Sequence, residues 1–254
     1  MFGIERSGVM GVLVREIMNF KTFWRSSTFS AIVQPIVYLL AFGFGFGTLV
    51  DKVGGVEYIE FVGIGTVATA ILFSSVFSGI FGTLLKWKYQ RTYDALLAAP
   101  VSVEEIVLAE SMWIGVRAGI YGCAPLLVAF FFGLDPTPGM LLVPLIGILS
   151  GFGLAAAGML IAALVQNFDN TSYVQSLIIT PMFLLAGTFF PLDDLPQWAI
   201  VASQFNPLYH CVELVRHASF GFEAVDVGHV GALVVFAVAM WLLANWRLKA
   251  RLVD

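Results

Sequence analysis

Apolar residues run along this chain in long blocks. Six of them reach the roughly 20 residues that a helix needs to cross a hydrocarbon core. They fall at 28–50, 61–85, 106–133, 139–165, 172–190 and 228–246. Each predicts a membrane-spanning helix. Ahead of the first block, Leu13, Ile17, Phe20 and Trp24 form one helical stripe, with Arg15, Asn19, Thr22 and Ser26 roughly opposite. That pattern predicts an amphipathic helix over 8–26 lying in the membrane interface, with an N-terminal extension of the first span as the alternative. The first block is too long for the apolar core of a cleavable leader and is expected to be retained.

Lys and Arg in the short flanks set the orientation. Arg6, Arg15, Lys21 and Arg25 precede the first block. Lys86, Lys88 and Arg91 lie between the second and third, and Arg247, Lys249 and Arg251 follow the sixth. With six spans these all face one side, which is expected to be the cytoplasm, with both termini there. The opposite side is acidic, with Asp51, Glu57, Glu60, Asp135, Asp193, Asp194, Glu213, Glu223 and Asp226 against Lys52 and Arg216.

Composition agrees with this reading. The chain is 59% hydrophobic and 12% charged, whereas soluble domains run near about 45–50% and about 25%. The net charge of −4 carries no block of like sign, so nucleic acid is not an expected partner. Cys123 and Cys211 read as free packing thiols. There is no G-x-x-x-x-G-K-[ST], no H-E-x-x-H and no G-x-S-x-G, so neither an ATP site nor those hydrolase chemistries are expected in this chain. The three histidines, His210, His217 and His229, lack metal-ligand spacing, and no metal site is expected.

The longest cytoplasmic connection, "KWKYQRTYDALLAAPVSVEEIVLAE" over 86–110, reads as a short helix ended by Pro100. A capped helix follows: Ser102 and Glu105 have the spacing of a capping box. The alternative is a plain solvated loop. Gln166, Asn167, Asp169 and Asn170 form another short cytoplasmic connection. Within the third block lie Glu110 and Arg117, seven residues apart on one face and about 10 Å apart along the axis. An Arg at mid-membrane costs about 2.5–3.5 kcal/mol on insertion scales, so it must face protein, water or a polar ligand. Charge balance and contact with a substrate headgroup both remain open for this pair. After the fifth block, "FFPLDDLPQW" places Pro191 and Pro196 around Asp193 and Asp194, and the following segments are too short or too charged to cross. A re-entrant helical hairpin over 191–220 on the outer face fits, because irregular backbone at membrane depth requires cover. A solvated turn is the other reading of the two aspartates.

"QRTYDALLAAPVSVEEIVLAE" resembles the cytoplasmic loop of type-2 ABC exporter permeases. "ITPMFLLAGTFFPLDDLPQW" followed by "NPLYHCVELVR" resembles that family's signature through the fifth span and outer hairpin. "YVQSLIITP", "FPLDDLP" and "DVGHVGAL" bring the chain nearest to the nodulation lipooligosaccharide exporters and their daunorubicin-exporting relatives. The resemblance covers essentially the whole chain. It implies an all-α integral membrane domain of six transmembrane helices, with an interfacial N-terminal helix and an outer re-entrant hairpin. It further implies a homodimer surrounded by lipid. A separate ATPase subunit would hold ATP and magnesium, with no cofactor in this chain.

The same resemblance assigns 86–105 as the coupling region, with Arg91, Thr92, Tyr93, Asp94, Glu104 and Glu105 at the ATPase. It makes Pro191, Asp193, Asp194, Pro196, Asn206 and Pro207 an outer gate, and leaves Glu110 and Arg117 as candidates for the substrate path. The cargo expected is amphipathic, a lipid-linked saccharide or a hydrophobic drug. An ion-coupled transporter or channel without an ATPase is the alternative. It should show paired intramembrane carboxylates or an internal repeat, and neither is evident.

Overall fold

A computed structural model describes residues 4–47, 52–53, 56–131, 133–165, 167–192 and 195–253. Side chains are described throughout these ranges except at 30–32, 34, 35, 43, 44 and 46. The described chain is helical apart from one small antiparallel strand pair. Helix α1 covers Arg6–Gly47, β1 Lys52–Val53 and β2 Val56–Glu57, with Lys52 opposite Glu57. Helix α2 covers Tyr58–Leu84 and continues through a π-helical turn, Leu85–Tyr89. Then come α3 (Thr92–Leu97) and α4 (Val103–Phe131). A 3₁₀ turn, Pro138–Leu142, leads into α5 (Val143–Leu164).

The fifth apolar block is divided into α6 (Thr171–Val174), a π turn (Gln175–Ile179) and α7 (Thr180–Leu184). Two short helices follow, α8 (Gln197–Gln204) and α9 (Pro207–Phe220). Helix α10 (Asp226–Leu252) is the last.

Four of these helical stretches are long and apolar enough to cross a membrane: Tyr58–Tyr89, Val103–Phe131, Pro138–Leu164 and Asp226–Leu252. They are the expected second, third, fourth and sixth spans. The fold is therefore that of an all-α membrane protein. Helix α2 is its central column. From Phe61 to Leu72 every residue is buried, and the helix packs on α1, α4, α5 and α9. An all-apolar circumference suits such a position. Small residues let the backbones close in. A Cβ on Gly79 would lie 2.5 Å from the Ala155 carbonyl oxygen, and one on Gly158 2.6 Å from that of Val76. Close helix approach of this kind is how spans associate where lipid is as apolar as the side chains. Helix α10 is the opposite case, with only a narrow buried strip such as Leu233, Ala237 and Ala244.

Two expectations need correction. No break separates an interfacial helix over 8–26 from a first span, because α1 runs unbroken for 42 residues, about 63 Å at 1.5 Å per residue. Ser26 Oγ donates back to the Phe23 carbonyl at 3.1 Å, so the hydroxyl-rich stretch satisfies itself within the helix. The face that α1 packs inward is also different. Gly8, Val12 and Glu16 are buried, while Ile17 and Trp24 of the apolar stripe are exposed. In the fifth block, helix ends at Leu184 instead of 190. The run from Thr171 is about 20 Å long, short of the roughly 30 Å core. Pro181 has no N–H for the preceding turn. The ladder widens into a π turn there, and Thr180 Oγ1 donates to the Gln175 carbonyl at 2.9 Å.

Candidate functional site

The end of the bundle that carries α3 gathers half of the predicted site residues. Helix α2 runs four residues past its last leucines, so Lys86 and Lys88 are on a helical turn rather than in a loop. The chain then reverses at Arg91, which adopts left-handed backbone geometry at φ 53°. That conformation costs a non-glycine residue about 1–2 kcal/mol. It aims α3 across the end of the bundle. Arg91 and Asp94 face outward, with side chains 76% and 52% exposed, and form an ion pair at 3.3 Å. Ala95 and Ala98–Pro100 are also exposed, and Thr92 is half-buried.

Tyr93 points the other way and is fully buried. Its hydroxyl donates to Glu110 Oε2 at 2.7 Å, joining α3 to α4. Burial, and then the Glu110 carboxylate beside it, hold the Tyr93 phenol well above its ordinary pKa, so it stays a donor. Glu110 is 1% exposed. Lys86 Nζ lies 2.8 Å from its Oε1 and 3.0 Å from Glu16 Oε1, and Arg15 pairs with Glu16 at 2.9 Å. Two cations and two carboxylates thus balance in a buried knot that touches α1, α2, α3 and α4. Charges survive burial only when matched in this way.

Glu104 and Glu105 are also drawn inward, at 6% and 2% exposed. Lys249 of α10 meets Glu104 at 2.9 Å. The capping box forms as the spacing predicts: the Ser102 N–H donates to Glu105 Oε2 at 2.8 Å, and the Glu105 N–H to Ser102 Oγ at 3.3 Å. Glu105 also accepts from the Glu5 backbone N–H at the start of α1. The carboxylate rests directly on Gly8, where a Cβ would collide with it. Glycine at position 8 is what allows α1 to approach.

Arg117 stands apart from this knot. It is half-buried and donates to Ser78 Oγ of α2, and its guanidinium lies 5.7 Å from the Phe20 ring centre. Among the described residues no carboxylate is within 4.0 Å of it, and Nε has no hydrogen-bond partner. Glu110 and Arg117 share a face without meeting. Glu16, Arg15 and Lys86 are the members of the site that sequence reasoning missed. The available signal was the four-residue step from Gly8 to Val12 to Glu16, which places a carboxylate on the inward face.

Residues 9–220 match the family described as ABC-2 type transporter. The chain belongs to the ABC-2 type transporter family. Among its relatives are the nodulation protein J of Rhizobium leguminosarum bv. trifolii, 33% identical over 94% of this chain and 91% of that protein, and that of Rhizobium meliloti, 32% identical over the same shares. The inner membrane transport permease YadH of Escherichia coli K12 is 27% identical over 94% of this chain and 93% of its own length. The ABC-2 assignment favours a membrane transport subunit over the ion-coupled carrier.

At the other end of this ABC-2 permease, Pro196 leads into α8 and Asn206 joins α8 to α9. Asn206 Oδ1 accepts from the Leu208 N–H at 3.0 Å as a helix cap, with Pro207 in the first turn. Its Nδ2 donates to the Met182 and Leu185 carbonyls at 2.6 and 3.2 Å, which fastens the helix pair to the end of α7. Pro191 is half-buried, and Asp193 and Asp194 lie outside the described residues. Arg216 is clamped by Glu213 at 2.6 Å, the Gly187 carbonyl at 2.9 Å and the Phe61 ring at 4.2 Å. An apolar cavity of about 490 Å³ opens beneath this pair, lined by residues including Leu160, Ile161, Met182, Phe205 and Met240.

Proposed function

We propose that this permease is the membrane half of an exporter whose ATPase docks on the outward face of α3. It would work as a pair with a second copy of itself. The observation that carries the reading is the two-sidedness of α3. Arg91 and Asp94 face outward, while Tyr93 is tied to Glu110. A push on α3 then acts on α4 through Tyr93 and Glu110, on α2 through Lys86 and on α1 through Glu16. Glu104 and Glu105 serve this device by holding α10 and α1 to the start of α4. ATP and magnesium belong to the partner. Six crossings and a re-entrant α8–α9 pair complete the proposed topology, with both termini in the cytoplasm. The α8–α9 pair, with Pro191, Pro196, Asn206 and Pro207, forms the outer gate.

The cargo we propose is amphipathic: its apolar part is matched by the cavity beneath the α8–α9 pair, and an acidic headgroup by Arg117, which has no carboxylate partner among the described residues. Co-purification with the ATPase, followed by transport in vesicles, tests the reading. Asp94→Lys together with Arg91→Glu should lower ATPase capture at least tenfold while the permease still folds. Undiminished capture and transport in that variant would reject α3 as the docking element.

A further inference from the structure

The three histidines, which the function above does not use, meet between α9 and α10. His210 and Glu213 lie three residues apart and His217 four further on, so one face of α9 carries all three. His229 of α10 is buried beneath them. His210 Nε2 is 2.9 Å from the Gln204 carbonyl, which only accepts, so this nitrogen carries the proton. In the neutral ring Nδ1 is then an acceptor. The 2.7 Å contact between the two Nδ1 atoms therefore has His229 donating to His210. This arrangement tolerates one added proton by a tautomer change in His229. With two, both nitrogens carry hydrogens that face each other and the contact is lost.

A second contact lies seven residues along α9. His217 Nδ1 donates to Asp226 Oδ1, and its Nε2 is 3.8 Å from Glu213 Oε2. Asp226 Oδ2 accepts from the Glu223 N–H at 2.7 Å. Two carboxylates flank His217, so protonation strengthens this contact. Among the described residues the groups facing the His210–His229 pair are Tyr209, Glu213 and His217 of α9 and Asp226 of α10, with Arg216 held away on Phe61. Helix α5 and the turn at 138–142 carry no ionisable residue. Glu60 of α2 has Glu57 and Asp135 as its charged neighbours.

We infer that His210 and His229 form an acid-released clasp between α9 and α10. Acid on that side frees the first half of α9, with its Asn206 corner, while His217 and Asp226 keep the second half pinned as a pivot. On the export reading this makes opening of the outer gate sensitive to external pH. The sign follows from the contact: it survives one added proton and is lost when acid adds a second, so the clasp holds at higher pH and opens as pH falls.

Amide hydrogen exchange on the purified permease in lipid nanodiscs tests this, corrected for intrinsic rates. Between about pH 7.5 and about pH 5, either side of the histidine value, protection at 207–213 should fall about tenfold, with 214–220 unchanged. His210→Gln keeps a carbonyl acceptor for His229 and cannot be protonated, so its protection should be nearly the same at both values. Equal protection of the wild type at both values, a loss spread evenly over α9, or an undiminished step in His210→Gln would each overturn the clasp. The measurement uses no ATPase and no cargo. The clasp can fail while export stands, and ATPase capture can fail while the clasp stands.

Discussion

The two ends of the permease both hold clusters of ionisable side chains, but of different kinds. The knot at the α3 end joins Arg15, Glu16, Lys86, Glu110 and Tyr93 through ion pairs and a hydrogen bond. The cluster between α9 and α10 joins His210, His217, His229, Glu213 and Asp226, and imidazole is the side-chain type whose charge mild acid can change. The first, matched charge for charge, suits a rigid link that passes a push between helices. The second suits a contact that the medium controls.

Breaking the knot should do the most damage. Glu110→Ala removes one of the two carboxylates that hold Lys86 and the acceptor of Tyr93, and leaves two cations against Glu16 alone. A cost of about 3–5 kcal/mol is expected for such a change. It would be read as a lower thermal midpoint and a smaller folded fraction in detergent. Next is Gly8→Ala. Its Cβ must displace Glu105 or push α1 away, for about 1–3 kcal/mol. Restoring stability with Glu105→Ala in the Gly8→Ala background would show that the carboxylate is the obstacle. Tyr93→Phe keeps the ring and loses one hydrogen bond to a carboxylate, about 1.5–3 kcal/mol. At the α9–α10 end Asp226→Asn should cost less than any of these at neutral pH, because His217 keeps Glu213 nearby. The smallest change is expected at exposed Arg91. Arg91→Ala should leave the thermal midpoint unmoved and lower only ATPase capture, because an exposed ion pair adds little to the fold.

The same comparison shows how far the sequence carries. Spans two, three, four and six were legible because twenty-odd apolar residues have few other destinations. The Ser102–Glu105 cap was legible because its reciprocal bonds are local. Membership of the ABC-2 family was legible from the coupling-loop and hairpin motifs. The knot was not, because Glu16, Lys86 and Glu110 are far apart in the chain, and each alone reads as a flanking charge. Glu104 and Glu105 read as surface acids for the same reason: Lys249 and Glu5 reach them only after folding. The break in the fifth block was signalled by Pro181 but hidden by unbroken apolarity. The outer cluster was half visible, since His210, Glu213 and His217 follow helical spacing, while His229 joins them from another helix.

The central claim is that Tyr93 carries the push from α3 to Glu110. The most direct test is cargo transported per ATP hydrolysed, for the wild type and Tyr93→Phe, with the permease reconstituted alongside its ATPase. Retained hydrolysis with transport per ATP reduced about tenfold is the predicted result. Transport per ATP equal to that of the wild type, in a variant that still docks the ATPase, would contradict it.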